Sequence, residues 1–155
     1  MLRRLIGAGV DFVVIGGIAV LLHGYPRMTR DLDIAFAFDD VNLEALGQVL
    51  VELESRLRGV DEDLPFVPDR RMLHGIELLT LETSAGWLDV HRLPRGVASY
   101  ERLRRNAERV DLDGIPVLVA SPDDLIAMKR AAGRPQDRID IAALETIKRL
   151  RGEAT

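Results

Sequence analysis

The chain has no cysteine among its 155 residues. Disulfides, thiolate metal sites and cysteine nucleophiles are therefore excluded together, and a cytoplasmic location is compatible with their absence. Aromatic residues are also scarce, at 5% of the composition, whereas hydrophobic residues make up 47%. The core must consequently be built from leucine, valine, isoleucine and alanine. At this length the chain fits one domain, and we expect residues 1–155 to form it.

Long hydrophobic runs are missing as well. The longest, from Phe12 to Leu22, is too short to span a bilayer and contains two glycines. Asp11 interrupts any hydrophobic region near the N-terminus, so no signal peptide is expected. The net charge of -4 argues against a broad basic surface for nucleic acid. These features predict a soluble, cytoplasmic protein without a membrane partner.

Several common catalytic motifs are absent from the sequence. There is no Gly-x-x-x-x-Gly-Lys-Ser/Thr phosphate loop, no Gly-x-Ser-x-Gly elbow and no His-Glu-x-x-His helix. The three histidines, His23, His74 and His91, lack the spacing of zinc ligands. His23 is expected to cap a short helix or to contact substrate.

The pattern of apolar residues predicts alternating strands and helices. Strands are predicted over 12–15, 32–38, 75–81 and 87–93, helices over 2–9, 18–23, 43–57, 99–109 and 136–151, and a loop over 59–73. Asp113-Gly114 predicts a hairpin turn. Ser121-Pro122 predicts the start of a further helix, with serine as N-cap and proline at the first helical position. The fold class that follows is α+β, or mixed α/β, with a mixed sheet covered by helices.

Asp31 and Asp33 lie two residues apart at the start of a predicted strand. Residues at this spacing point to the same face, about 6.5–7 Å apart. Two such carboxylates repel one another unless a cation lies between them, and Mg²⁺ prefers oxygen ligands. On its own, however, Asp-x-Asp is more often a pair of acidic residues at a strand end.

Gly16-Gly17 follows the first predicted strand and opens a helix. Such a turn leaves unpaired N–H groups facing outward, where they can bind phosphate. The alternative is a plain strand-to-helix turn.

The two elements together resemble the signature of the DNA polymerase β-like nucleotidyltransferase superfamily. Val14-Ile15-Gly16-Gly17 is followed, after thirteen residues, by Asp31-Leu32-Asp33-Ile34. The intervening His23-Gly24 and Arg27-x-Thr29-Arg30 resemble the AbiEii-type branch, which includes nucleotidyltransferase toxins of toxin–antitoxin pairs. The resemblance implies a nucleotidyltransferase fold, an NTP substrate and two Mg²⁺ ions. One departure is Gly17, where many relatives have serine.

The resemblance also implies a third carboxylate on a neighbouring strand, completing the metal site of Asp31 and Asp33. Asp89, between apolar residues of a predicted strand, is the candidate; its alternative is an edge-strand aspartate facing water. Lys129 matches a lysine expected to approach the nucleotide phosphates. The alternative is a lysine whose stem covers the core and whose ammonium pairs with Asp137 or Asp140.

Arg27 and Arg30 flank the predicted metal strand. They are candidates for holding the triphosphate beside Gly16 and Gly17, although simple salt bridges serve equally well as an explanation. The overall expectation is metal-dependent transfer of a nucleoside monophosphate from an NTP to an acceptor hydroxyl on RNA or protein, in a toxin of a toxin–antitoxin pair. The alternatives are an antitoxin-like enzyme that modifies a partner toxin, and a nucleotide-binding regulatory module without turnover.

Overall fold

The computed structural model describes residues 1–60 and 65–153. The strands are β1 (Phe12–Ile15), β2 (Asp31–Phe36), β3 (Arg56–Leu57), β4 (Leu78–Thr83), β5 (Gly86–His91), β6 (Glu108–Leu112) and β7 (Ile115–Val119). The helices are α1 (Leu2–Gly7), α2 (Gly16–Leu22), α3 (Asp40–Glu52), α4 (Arg70–His74), α5 (Tyr100–Asn106), α6 (Pro122–Ala132) and α7 (Pro135–Glu153). None of the helices in these described stretches is long and apolar enough to cross a bilayer.

The strands form one mixed sheet in the order β3-β4-β5-β2-β1-β7-β6. Strand β1, which lies between β2 and β7, is buried at every position, as expected for a continuous apolar run with both faces covered. It pairs antiparallel with β2 and parallel with β7, whereas β2 pairs parallel with β5. This arrangement of strands and helices confirms the predicted mixed α+β fold class.

The local signals at the C-terminal half are confirmed. Asp113 and Gly114, both with positive φ, join β6 to β7 in a tight hairpin. Ser121 caps α6 by accepting a hydrogen bond from the N–H of Asp124. Gly133, in the left-handed conformation, ends the same helix.

The predicted helix over 43–57 was too long. Helix α3 ends at Glu52, and Glu54 adopts a left-handed conformation with φ of 52°. Leu57 therefore lies in β3, opposite Leu81 of β4. The helical spacing of leucines continues past the true end because Leu57 is needed as an apolar residue in the strand.

Other boundaries also differ from prediction, among them the following. Helix α2 begins at Gly16 itself, with Ile15 as its N-cap residue, so both glycines belong to the helix. The predicted loop over 59–73 contains most of α4, whose start is capped by the Asp69 carboxylate; its residues 61–64 lie outside the described residues. Helix α5 ends at Asn106, three residues before the predicted end, because β6 begins at Glu108.

Candidate active site

Three aspartates meet on one face of the sheet where β2 and β5 run parallel. Asp31 and Asp33 lie two residues apart in β2, so their side chains share a face. In the register, Asp33 lies opposite Asp89 of β5. Because directly paired residues of neighbouring strands point to the same side, Asp89 joins the other two carboxylates rather than pointing away.

Arg58 lies among these carboxylates. Its side chain donates to both oxygens of Asp89, at 2.9 and 3.1 Å, and to Asp31 Oδ2 at 3.3 Å. Its guanidinium carbon is 4.9 Å from the centre of the Trp87 ring. The backbone N–H of Arg58, just after β3, donates to the carbonyl of Thr80, which fixes the position of the chain there.

The charge balance of the cluster affects the ionisation of Asp89. Burial raises the pKa of the Asp89 carboxyl, and the nearby charges of Asp33 and Asp31 raise it further, while Arg58 opposes the shift. The net direction is upward. A carboxylate with a raised pKa is a better proton acceptor near neutral pH.

His91 extends the cluster on the other side. Its Nε2 atom is 3.3 Å from Asp33 Oδ1, and both side chains are about four-fifths buried. His91 is two residues after Asp89 in β5, so it lies on the same face of the sheet. The imidazole therefore adds a polar group beside the carboxylate of Asp33.

The donor set suits a hard divalent cation. Three carboxylates provide oxygen ligands, which Mg²⁺ prefers, and their mutual repulsion favours a shared cation. Among the described residues, no group of three or more histidine, aspartate or glutamate side chains is arranged to hold a metal ion. Asp31 and Asp89 instead contact Arg58, and Asp33 lies beside His91. The residue types thus fit a metal ion. In the structure, the three carboxylates contact Arg58 and His91.

Gly16 lies directly against Asp33. A Cβ atom added to Gly16 would be 2.1 Å from Asp33 Oδ2, and its φ of +67° is one that residues with a side chain rarely adopt. Gly17 is also confined, since an added Cβ would lie 2.7 Å from Thr29 Oγ1. The space that a serine would need at position 17 is thus filled by Thr29.

A cavity of about 630 Å³ opens beside Asp33. Gly16, Asp33, His91 and Lys129 contribute to its lining, and Leu78, Leu93, Leu125 and Met128 supply apolar walls. Its volume is within the range of small-molecule sites, about 300–1,000 Å³. The acidic cluster is therefore adjacent to a space that can hold a substrate.

Lys129 is buried in a network of opposite charges. Its Nζ atom is 2.7 Å from Asp140 and 3.4 Å from Asp137, and all three residues are at most 5% exposed. Arg134 completes the network by donating to Asp137 from its backbone and its side chain. Burial disfavours ionisation of Asp137, but these hydrogen bonds and the Lys129 charge outweigh it and lower the Asp137 pKa. Of the two predictions for Lys129, the structure therefore contains the one in which its ammonium pairs with Asp137 and Asp140.

The two arginines predicted beside the triphosphate have separate surroundings. Arg27 pairs with Asp140, and its guanidinium carbon would be 3.3 Å from a Cβ on Gly17. Its Nε atom is buried without a hydrogen-bond partner among the described residues. Arg30 lies 6.0 Å from the Trp87 ring and lines a different depression, together with Leu32.

His23 has a structural position. It is the C-cap residue of α2, and its Nε2 atom is 2.8 Å from the carbonyl oxygen of Ala120. Arg151 reaches its Nδ1 atom at 3.2 Å. The ring thereby connects α2 with the end of β7 and with α7, which agrees with its expected capping role.

Arg58 and His91 are the site residues that sequence reasoning missed. Arg58 lies between the predicted helix over 43–57 and the predicted loop over 59–73, and it belongs to no recognised motif. For His91, one signal was available: it follows Asp89 by two residues in a predicted strand, so the alternation of faces would have placed it beside the candidate carboxylate.

The fold is that of known nucleotidyltransferases. A lincosamide antibiotic adenylyltransferase, LnuA, solved with lincomycin bound, superposes with a TM-score of 0.64 at 18% identity over 94% of this chain and 92% of that chain. ANT(2'')-Ia in complex with adenylyl-2''-tobramycin superposes with a TM-score of 0.55 at 17% identity, over 98% of this chain and 91% of that chain. An antigenic nucleotidyltransferase-like protein from Paracoccidioides brasiliensis superposes with a TM-score of 0.52 at 18% identity, over 96% of this chain and 72% of that chain. At these identities the likeness establishes the fold.

The family is established by a separate comparison. No protein with a curated description matches the sequence. Residues 4–153, nearly the whole chain, match a family described as nucleotidyltransferases of unknown function. This match confirms the prediction of a nucleotidyltransferase. The chain belongs to that nucleotidyltransferase family, DUF6036.

Proposed function

We propose that the protein transfers a nucleoside monophosphate from an NTP to an acceptor hydroxyl, with Asp31, Asp33 and Asp89 as metal ligands. The observation that carries the proposal is the meeting of these three carboxylates on one face of β2 and β5, beside Gly16 and the cavity. A structural role alone does not require three acidic side chains with a single guanidinium between them. Such a cluster is costly unless it serves binding or catalysis.

The reaction forms a bond between the acceptor oxygen and the α-phosphorus. It breaks the bond from that phosphorus to the bridging oxygen of the β-phosphate, so pyrophosphate leaves, and the hydroxyl proton passes to a base. Asp89, which lies opposite Asp33 on the same face of the sheet, is our candidate for that base. The Mg²⁺ ions, when bound, would neutralise phosphate charge and activate the attacking oxygen.

The other residues position the nucleotide. Gly16 and Gly17 let the start of α2 lie directly against Asp33 and Thr29, and their backbone N–H groups are our candidates for binding the phosphates. Lys129 lines the cavity and would offset negative charge there. To contact a phosphate directly, its ammonium must leave Asp140 or be shared with it. Arg27 acts through Asp140 and Gly17, whereas Arg30 is on the Trp87 side of the cluster.

The acceptor is the open part of the proposal. An RNA end or a protein hydroxyl follows from the resemblance to the AbiEii-type branch, and with it a toxin acting on cellular RNA or an antitoxin modifying a partner toxin. A small-molecule hydroxyl is a further class, because antibiotic adenylyltransferases share the fold. The cavity volume of about 630 Å³ is also compatible with compact ligands. A regulatory module that binds a nucleotide without transfer is the non-enzymatic alternative.

Label transfer tests the proposal and identifies the acceptor. The protein is incubated with Mg²⁺ and each α-³²P-labelled NTP, in separate reactions with total RNA, total protein and a small-molecule extract. We expect label in one of these fractions with the wild type and none with Asp31→Ala or Asp33→Ala. Asp123→Asn is the matched control, because this exposed aspartate pairs with Lys148 outside the cluster.

The result distinguishes the candidates. Nucleotide binding without label in any fraction would favour the regulatory module. Transfer that survives both aspartate substitutions would refute the assigned metal ligands. Growth inhibition on expression that depends on Asp33 would separate a toxin from an antitoxin.

A further inference from the structure

Arg58 occupies the position between two of the proposed metal ligands. Its side chain makes two contacts with Asp89, at 2.9 and 3.1 Å, and one with Asp31 at 3.3 Å. The oxygens that accept these hydrogen bonds are carboxylate oxygens of the kind that a divalent cation needs. Arg58 and a metal at this site therefore require the same acceptor atoms.

The charges of the cluster explain why a cation is needed there at all. Asp31 and Asp33 share one face of β2, and Asp33 lies opposite Asp89 in the register, so the three carboxylates lie close together. Without a counter-charge, their repulsion would favour protonation or separation of the strands' side chains. The guanidinium satisfies Asp31 and Asp89 in the absence of metal, and its side chain is only 21% exposed.

Trp87 gives the Arg58 guanidinium a contact that does not involve the carboxylates. The guanidinium carbon is 4.9 Å from the Trp87 ring centre, within the distance of a cation–π contact. Trp87 lies opposite Asp31 in the register of β2 and β5, so the ring borders the acidic cluster. The backbone of Arg58 is held by its hydrogen bond to Thr80, which leaves the long side chain free to exchange partners.

We propose that Arg58 is a built-in counter-cation that competes with the divalent metal for Asp31 and Asp89, and that it gives up these two contacts and keeps the one with Trp87 when the metal binds. The inference rests on the proposed function, because it takes Asp31 and Asp89 as metal ligands. It adds a residue that sets how tightly the metal is held. In this arrangement Arg58 keeps the carboxylates together, and metal occupancy depends on displacing an internal competitor.

The competing role and a purely structural role predict opposite results. If Arg58 only supports the fold of the site, its removal disorders the carboxylates and weakens metal binding. If it competes with the metal, its removal frees the carboxylate oxygens and tightens binding. The sign of the change in metal affinity is therefore the decisive observation.

Binding is measured without turnover, at pH 8, with Mn²⁺ followed by the loss of the free-ion EPR signal and with Mg²⁺ followed by competition. We expect Arg58→Gln to bind about tenfold more tightly than the wild type, since charge-assisted hydrogen bonds no longer have to be replaced. Arg70→Gln is the matched control, because it removes one positive charge from an exposed pair with Asp40 and should leave the affinity unchanged.

Trp87 is the only tryptophan of the chain and reports the position of Arg58 directly. We expect Mg²⁺ to change the Trp87 fluorescence of the wild type with the same midpoint as Mn²⁺ binding. If Arg58→Gln does not fold, Arg58→Lys is used instead, since lysine keeps the charge but cannot make the bidentate contact with Asp89. This variant should also bind the metal more tightly than the wild type.

Equal or weaker metal binding by the folded Arg58 variants would overturn the inference. So would a Trp87 fluorescence of the wild type that does not change when the metal binds. A failure to bind metal in any variant would overturn it as well. These outcomes are separable from a failure of the proposed function. Tighter binding by Arg58→Gln without label transfer would refute the activity alone, whereas transfer with unchanged metal affinity would refute the role of Arg58 alone.

Discussion

Asp33 rests against the backbone of Gly16, at a distance that leaves no room for a side chain there. A Cβ atom on Gly16 would lie 2.1 Å from Asp33 Oδ2, and the residue has a φ of +67°. The contact joins the first residue of α2 to β2, the strand that contains Asp31 and Asp33. The two halves of the sequence motif are therefore parts of one surface.

Gly16→Ala should damage both stability and transfer. The left-handed conformation costs a residue with a side chain about 1–2 kcal/mol, and the clash with Asp33 adds to it. We expect the free energy of unfolding in urea to fall by about 2 kcal/mol or more, with loss of label transfer. Gly7→Ala is the control, because its added Cβ meets no atom within 4 Å. Unchanged stability of Gly16→Ala would show that Asp33 can move aside at no cost.

Gly17→Ser tests why this chain departs from the serine of many relatives. An added Cβ would lie 2.7 Å from Thr29 Oγ1 and 3.0 Å from Thr29 Cβ. We expect destabilisation of about 1–3 kcal/mol in urea unfolding, as for overpacking elsewhere. Thr29→Ala in the same chain removes the closest atom and should restore part of the loss. Additive effects of the two substitutions would contradict a direct clash.

Asp89→Asn should separate stability from function. A raised pKa means that folded Asp89 holds its proton more tightly than the unfolded chain does. Stability therefore falls as the pH rises from the unfolded pKa through the folded pKa. Because asparagine removes this ionisation, we expect a free energy of unfolding at pH 8 at least equal to that of the wild type, with transfer reduced about 100-fold or more.

Urea unfolding at pH 4, close to the ordinary carboxyl pKa of 3.8, and at pH 8, alongside label transfer, checks this expectation. The stability of the wild type should decrease more between the two values than that of Asp89→Asn. A variant that is markedly less stable at pH 8 would mean that the ionised carboxylate, with Arg58, supports the fold.

Lys129→Met addresses the two roles considered for Lys129. It leaves Asp140 with Arg27 as its remaining charged partner, and breaking a buried ion pair costs about 3–5 kcal/mol. Lys129→Met with Asp137→Asn should recover part of the stability in urea unfolding, because it restores the charge balance and leaves the Arg27–Asp140 pair intact. If Lys129 also contacts phosphate, the double variant will still bind a fluorescent NTP analogue weakly. Full recovery of nucleotide affinity would leave Lys129 with a structural role only.

Local sequence signals predicted much of the architecture. The apolar run of β1, the Asp113-Gly114 hairpin and the Ser121 cap are each determined by neighbouring residues, so they could be predicted without tertiary information. The end of α3 could not, because the leucine spacing stays helical while Glu54 turns the chain into β3. Periodicity does not distinguish a helical residue from the buried residue of a short strand that follows it.

The site was predictable where a motif carried it. The spacing of Gly16-Gly17 from Asp31 and Asp33 led to the carboxylates, and the isolation of Asp89 among apolar residues led to the third. Arg58 could not be found in this way. It reaches Asp89 only because β3 pairs with β4, and β4 with β5, and such pairings between distant segments leave no local pattern.

Asp140, a residue of α7, binds Arg27 from the segment before β2 as well as Lys129 from α6. The Asp140 carboxylate therefore connects α6 and α7 to the segment before β2, whose Arg27 side chain lies beside Gly17. A chimaera with residues 1–120 of this chain and C-terminal helices from a relative would carry Arg27 beneath the site without its acid. Exchange of α6 and α7 between relatives thus requires that Arg27 and Asp140 be exchanged together.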